Sequence, residues 1–223
     1  PALHLQGVLV RDTAKERPFA NWQQLVTTDH AELIASADII VEVLGGVDEP
    51  LAMLAPVLSG NRPLISANKA VLAEQWDAFT PLRKAGKLYF EAAVMGGVPV
   101  IGTANTLLRA SELMEFGAIL NGTCNVILAA MEEGQTYEAA LADAQAAGFA
   151  EADPTLDVGG FDAAHKLNLL IRLLADPHFS WEQLQGHITG IAGVTPEDVA
   201  AAKAEHTHIR LVGSVRVANG TTE

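Results

Sequence analysis

The stretch 38-DIIVEVLGG-46 is a β-branched run that stops at paired glycines. Too short for a surface helix and closed by a turn signal, it predicts a strand buried in a parallel sheet. Three further runs of this kind lie in the first 91 residues, 6-QGVLV-10, 63-PLIS-66 and 87-KLYFE-91. The segments between them predict helices at about 29–36, 48–59 and 69–85, with Gly60 and Gly86 placed to end the second and third. Strand and helix in alternation is the pattern of βα units, whose crossovers are almost always right-handed. The expectation is an α/β fold in which these strands share one doubly wound parallel sheet.

Beyond Gly96 the pattern changes. The segment 98-VPVIGTANTLLRA-110 reads as a helix and 112-ELMEFGAIL-120 as a strand. Thr136 is placed to cap a helix that Gly148 ends, Asp162 to open one reaching about Leu174, and 195-TPEDVAAAKAEH-206 carries Thr, Pro and Asp at N-cap, N1 and N3. With a last strand in 208-HIRLVGSVRV-217, this is an α+β region. The boundary falls near residue 95, giving domains at 1–95 and 96–223.

Composition narrows the partners. A formal charge of -13 opposes binding to a phosphate backbone or an anionic bilayer surface, so neither nucleic acid nor membrane is expected. The best apolar runs are short and interrupted by Glu42 and Arg172, so none spans a bilayer. One cysteine, Cys124, fits a reducing, cytoplasmic setting. A small molecule is the expected ligand.

In an open α/β sheet, ligands bind beyond the carboxyl ends of the strands. Those ends read 10-VRD-12, 43-VLGG-46, 66-SANK-69 and 91-EAAVMGG-97, each with polar groups or glycines. An acid after an early strand suits a free ribose 2′-hydroxyl and an arginine suits a 2′-phosphate, so Arg11 beside Asp12 leaves NAD and NADP both open, with Lys15 and Arg17 favouring NADP. A solvated charge cluster is the plainer reading. The G-x-G-x-x-G loop of a dinucleotide-binding sheet is not among these residues and is expected ahead of Pro1.

In the loop 121-NGTCN-125, Thr123 can act as a helix cap or the backbone can meet a ligand, while Cys124 reads as a small buried residue. The stretch 151-EADPTLDVGGFDAAHK-166 gathers Glu151, Asp153, Asp157 and Asp162 ahead of Lys166. Asp162 and Lys166 share a helix face, and a surface ion pair worth a few tenths of a kcal/mol is the bland account. The sharper account is a carboxylate cage for a substrate ammonium group, beside a lysine that passes a proton to or from an oxygen.

These motifs, 42-EVLGG-46, 66-SANKAVLA-73, 90-FEAAVMGGVPVI-101, 119-ILNGTCNVIL-128 and 144-AQAAGFAEADPTLDVGGFDAAHK-166, together resemble the homoserine dehydrogenase family over nearly the whole chain. The resemblance implies a Rossmann-like dinucleotide-binding domain, incomplete at its N-terminus, followed by an α+β substrate-binding and dimerisation domain, incomplete at its C-terminus. It implies NADP- or NAD-dependent interconversion of L-homoserine and L-aspartate 4-semialdehyde by a homodimer. Lys166 and Lys69 would be the catalytic lysines, and Glu151, Asp157 and Asp162 the acids that bind the amino-acid substrate. Arg11, Gly45, Lys69, Thr123 and Gly148 would contact the cofactor, and main-chain carbonyls of Glu91, Val94, Gly96 and Val98 would hold a structural sodium ion. Cys124 departs from the family's usual Thr. The competing reading is a catalytically silent piece that retains only substrate binding and dimerisation.

Overall fold

The structure is a computed structural model that describes residues 2–59, 62–108, 113–218 and 221–222. Its backbone contacts group into two units, Pro1–Val71 with Gln75–Phe90, and Leu72–Glu74 with Glu91–Glu223.

The first unit is built from β1 (Val8–Leu9), α1 (Trp22–Leu25), β2 (Val26–Thr27), α2 (His30–Ser36), β3 (Ile40–Glu42), α3 (Asp48–Leu58), β4 (Leu64–Ser66), α4 (Lys69–Glu74), α5 (Thr80–Lys84) and β5 (Leu88–Tyr89). Among the described residues every strand pairing in it is parallel, as the alternation predicts. The expected single sheet is instead two ladders, β1 with β2, and β3, β4, β5 in that order. Among the described residues β1 is itself two residues long and takes β2 as its partner, and Asp29 caps α2 just beyond β2 by accepting the Glu32 N–H.

Across the three-stranded ladder Glu42 lies opposite Ser66, and both are buried. The neighbouring row, Val41, Ile65 and Tyr89, is exposed. Leu54, Val57, Leu64, Phe79 and Leu82 supply the core. The long helix expected at 69–85 is broken. Gln75 leaves helical geometry, a 3-10 turn occupies Trp76–Phe79, and Pro81 near the start of α5 has no N–H to continue an α-helical ladder. Gly86 adopts φ +65 and ends this stretch as expected, whereas Gly60 lies outside the described residues.

The second unit contains α6 (Val100–Thr103), which runs into a π-type turn at Ala104–Leu108, then β6 (Glu115–Ala118), α7 (Gly122–Glu132), α8 (Tyr137–Ala146), α9 (Thr155–Val158), α10 (Phe161–Leu174), α11 (Trp181–Gln185), α12 (Pro196–Ala204), β7 (Gly213–Ala218) and β8 (Thr221–Thr222). Of the helix and strand expected at 98–110 and 112–120, residues 109, 110 and 112 lie outside the described residues. β7 pairs antiparallel with both β6 and β8. Apolar residues of α7 (Cys124, Ile127, Leu128, Met131), Ala140 and Ala144 of α8 and Val199 of α12 pack together with Ile191. Burying one such aliphatic side chain contributes about 1.5–3 kcal/mol before entropy is counted. Thr136 caps α8, and Thr195 with Asp198 forms a reciprocal capping box on α12, as their sequences predict.

Candidate active site

The acid-rich stretch owes its course to glycines. Gly160 caps α10 at φ +86, a conformation that costs other residues roughly 1–2 kcal/mol. Gly190 packs so closely on Val158 and Gly159 that a Cβ there would stand 2.7 Å from the Gly159 Cα, and the Ile191 N–H donates to the Val158 carbonyl at 2.8 Å. This pinch aims the first turn of α10. Asp162 is therefore the second residue of α10 rather than its cap, which frees its carboxylate to face inward.

There the Lys166 ammonium donates to Asp162 Oδ2 at 2.6 Å and to the Leu120 carbonyl at 2.9 Å. Side-chain exposures of 17% for Lys166 and 8% for Asp162 rule out the surface ion pair. A buried pair of this kind costs desolvation energy unless further hydrogen bonds satisfy it. Asn121 supplies them: its Nδ2 donates to Asp162 Oδ2 at 2.8 Å and to Asp157 Oδ1 at 2.7 Å. The cap of α7 is also Asn121, whose Oδ1 accepts the Cys124 N–H at 2.7 Å, and not Thr123, whose hydroxyl donates to the Phe149 carbonyl. The Cys124 thiol donates to the Asp157 carbonyl at 3.2 Å. Burial first, then Asp157 and Asp162, push that thiol up to about 12, so it stays protonated.

Two acids of the stretch stand apart from this network. Asp153 is exposed and accepts the Thr155 hydroxyl and N–H, which hold its carboxyl below the ordinary range. Glu151 is exposed, and its main-chain carbonyl accepts from Gln145. Gly148 has φ +77, and nothing lies within 4 Å of a Cβ added there.

A second buried carboxylate, absent from the sequence expectations, organises the strand ends of the first unit. Glu42 at the end of β3 accepts the Leu44 N–H and the Ser66 hydroxyl, each at 2.6 Å. Asn68 caps α4 through the Val71 N–H and donates to the Gly46 carbonyl at 2.9 Å. The turns 43–46 and 66–69 are thereby tied together, with Lys69 opening α4. Gly46 adopts φ +80, and space is open beside Gly45 and Gly46. The signal for this node was the acid inside an otherwise apolar run. Arg11 is solvated and pairs weakly with Glu49 at 3.7 Å, while Asp12 and Arg17 serve the local turn.

Glu91 uses its carboxylate to hold the Ile101 and Gly102 N–H groups at the start of α6, both at 2.8 Å. Met95 and Gly96 both have φ 59, and the Glu91 and Val98 carbonyls each accept one internal N–H, which leaves each a second lone pair. Among the described residues no group of three or more His, Cys, Asp or Glu stands where it could hold a metal, so a cation here would rest on main-chain oxygens. No helix among them is long and apolar enough to cross a membrane.

Residues 99–222 match the family model for homoserine dehydrogenase. A homoserine dehydrogenase of Bacillus subtilis is 34% identical over 214 residues, covering 94% of this chain and 49% of that protein. The crystal structure of a homoserine dehydrogenase from Thiobacillus denitrificans superposes with a TM-score of 0.79 at 32% identity, covering 88% of this chain and 46% of that one. A hyperthermophilic archaeal homoserine dehydrogenase in complex with NADPH gives 0.68 at 26% identity, covering 87% and 57%. The chain spans about half the length of the curated relatives it matches. By the match over its second unit and by this agreement in sequence and fold, the chain belongs to the homoserine dehydrogenase family.

Proposed function

We propose that the protein interconverts L-homoserine and L-aspartate 4-semialdehyde with NADP or NAD, and that Lys166 is its proton donor and acceptor. The observation that carries this reading is the buried Lys166–Asp162–Asn121–Asp157 network. An ammonium group has three N–H donors. Asp162 and the Leu120 carbonyl take two, which leaves the third for a substrate oxygen. When bound, the nicotinamide supplies hydride at the carbonyl carbon. Lys166 gives a proton to the carbonyl oxygen as it becomes a hydroxyl, and takes it back in the reverse direction. Asp157 and Asp162, together with Glu151 in the loop ahead of them, attract the ammonium group of the amino acid.

For the cofactor, the open glycines at 45 and 46, Arg11 and Lys69 belong to a dinucleotide-binding domain of Rossmann type at 1–95. Thr123 and Gly148 belong to a substrate-binding and dimerisation domain at 96–223, where space beside Gly148 allows close backbone approach. Lys69 is the second catalytic lysine. The Glu91–Val98 turn, with its carbonyl oxygens, suits a structural sodium ion, and the assembly is a homodimer.

The test follows L-homoserine-dependent reduction of NADP by nicotinamide absorbance in the parent and in Lys166→Ala, with NADPH affinity measured by fluorescence. Lys166→Ala should lose about 10²–10⁴ in kcat and keep its NADPH affinity. A variant kcat near the parent's would remove the proton-transfer role. A parent without saturable NADPH binding would favour a silent substrate-binding module.

A further inference from the structure

Asn121 is 2% exposed, and each of its polar atoms is committed. Its Oδ1 accepts the Cys124 N–H, which settles the amide's orientation and turns the NH2 toward the acids. One hydrogen goes to Asp157 and the other to Asp162. The same Asp162 oxygen receives the Lys166 ammonium. Two carboxylates thus meet on one nitrogen, where they would otherwise repel.

The segment around Asn121 reinforces this arrangement. The Leu120 carbonyl holds Lys166, and the Cys124 thiol holds the main chain of Asp157. A cap alone would not require a donor, because Ser and Asp cap helices as well as Asn does. We propose that Asn121 is a positioning residue for substrate capture. It fixes Asp157 and Asp162 as one anionic receptor for the substrate ammonium, while Lys166, held by the Leu120 carbonyl as well as by Asp162, keeps the proton-transfer role. This rests on the reading of these residues given above.

Two variants test it. Asn121→Ser keeps a capping oxygen but reaches neither acid, and Asn121→Asp keeps the shape while replacing the donor with a third carboxylate. Steady-state kinetics in both, with urea midpoints as folding controls, should show KM for L-homoserine raised about ten-fold or more, more in Asn121→Asp, with kcat changed less than about three-fold and the KM for the cofactor unchanged. A merely structural role would lower the active fraction, and hence apparent kcat, at constant KM. Parental KM values in both variants of an active enzyme would overturn this inference and leave the proposed function standing. A parent with no homoserine-dependent turnover would overturn both.

Discussion

Gly190→Ala should damage both the fold and the site, by an amount the structure allows to be worked out. Ordinary van der Waals contact begins near 3.4 Å, yet a Cβ on Gly190 would stand 2.7 Å from the Gly159 Cα and 2.8 Å from its carbonyl carbon, and closer still to the Val158 oxygen. The backbone at 158–159 must retreat by at least 3.4 minus 2.7, or 0.7 Å, and by more at the oxygen. That oxygen accepts the Ile191 N–H at 2.8 Å, a bond that does not survive such a movement. Overpacking costs about 1–3 kcal/mol, and stranding a buried donor about as much again, so roughly 2–6 kcal/mol of stability goes. Because Asp157 and Asp162 flank the displaced residues, and misplacement of a site by about 1 Å can cost about 10²-fold in rate, activity should fall further than the folded fraction. Urea unfolding of the parent, Gly190→Ala and Gly186→Ala, the last at a site with nothing within 4 Å, measures the first effect; specific activity in buffer measures the second. A loss below about 0.5 kcal/mol in Gly190→Ala at unchanged m would refute the argument.

Two pH-linked groups give sharper expectations. With its thiol near 12, Cys124 should resist alkylation by iodoacetamide at pH 8, where the thiolate fraction is about 10⁻⁴, and react fully once urea unfolds the chain; a native thiol count of one would contradict the burial. Since its folded value is raised above 9.0, the stabilisation it gives is present below pH 9.0 and lost as pH rises toward 12, and Cys124→Ala should remove that alkaline decline. On α7, Glu132 receives Arg210 at 2.6 and 3.1 Å and His208 at 3.2 Å. The Arg210 hydrogen bond chiefly, against partial burial and with help from His208, holds the carboxyl below 4.5. This stabilisation is present above pH 4.5 and lost as pH falls through the lowered value. Glu132→Gln should therefore cost about 1 kcal/mol at neutral pH, after solvent screening, with the difference from the parent vanishing in acid; a gap that persists there would point to packing instead.

What the sequence made legible was local. Thr136, Thr195 and Gly86 act within a few residues of themselves, so their caps and turns are readable in one dimension. The parallel pairing of β3, β4 and β5 is likewise implied by the spacing of apolar runs. The continuous run 38-DIIVEV-43 implies cover on both faces, whereas Val41 and Val43 are exposed. The break at Gln75 and Pro81 was hidden because Trp76, Phe79 and Leu82 keep an apolar pattern through it, and all three are buried. In the site, the Asp162–Lys166 pair was visible from helical spacing, but its burial was not, because the groups that hold it come from 41 and 46 residues away. Thr123 drew attention as a hydroxyl before a helix, while the actual cap lay two residues earlier.

Asn121 and Asn68 use the same chemistry in separate units, and the comparison says why asparagine is found at both. Each ends an extended segment and caps a helix with its Oδ1, through Cys124 N–H and Val71 N–H respectively. Each then has its amide nitrogen directed away from the helix, toward groups that only accept. For Asn121 these are two carboxylates; for Asn68 they are the Gly46 carbonyl and, at the longer distance of 3.4 Å, Glu42. Aspartate would serve the helix equally well and would set a further negative charge against the buried acid. Serine would serve the helix and leave the acid without its donor. A residue that must accept in one direction and donate in the other, within one rigid plane, has to be a primary amide. Glutamine carries that amide on one more methylene, too far out to close the short ring to the N3 N–H, and so asparagine satisfies both demands where serine, aspartate and glutamine each fail one.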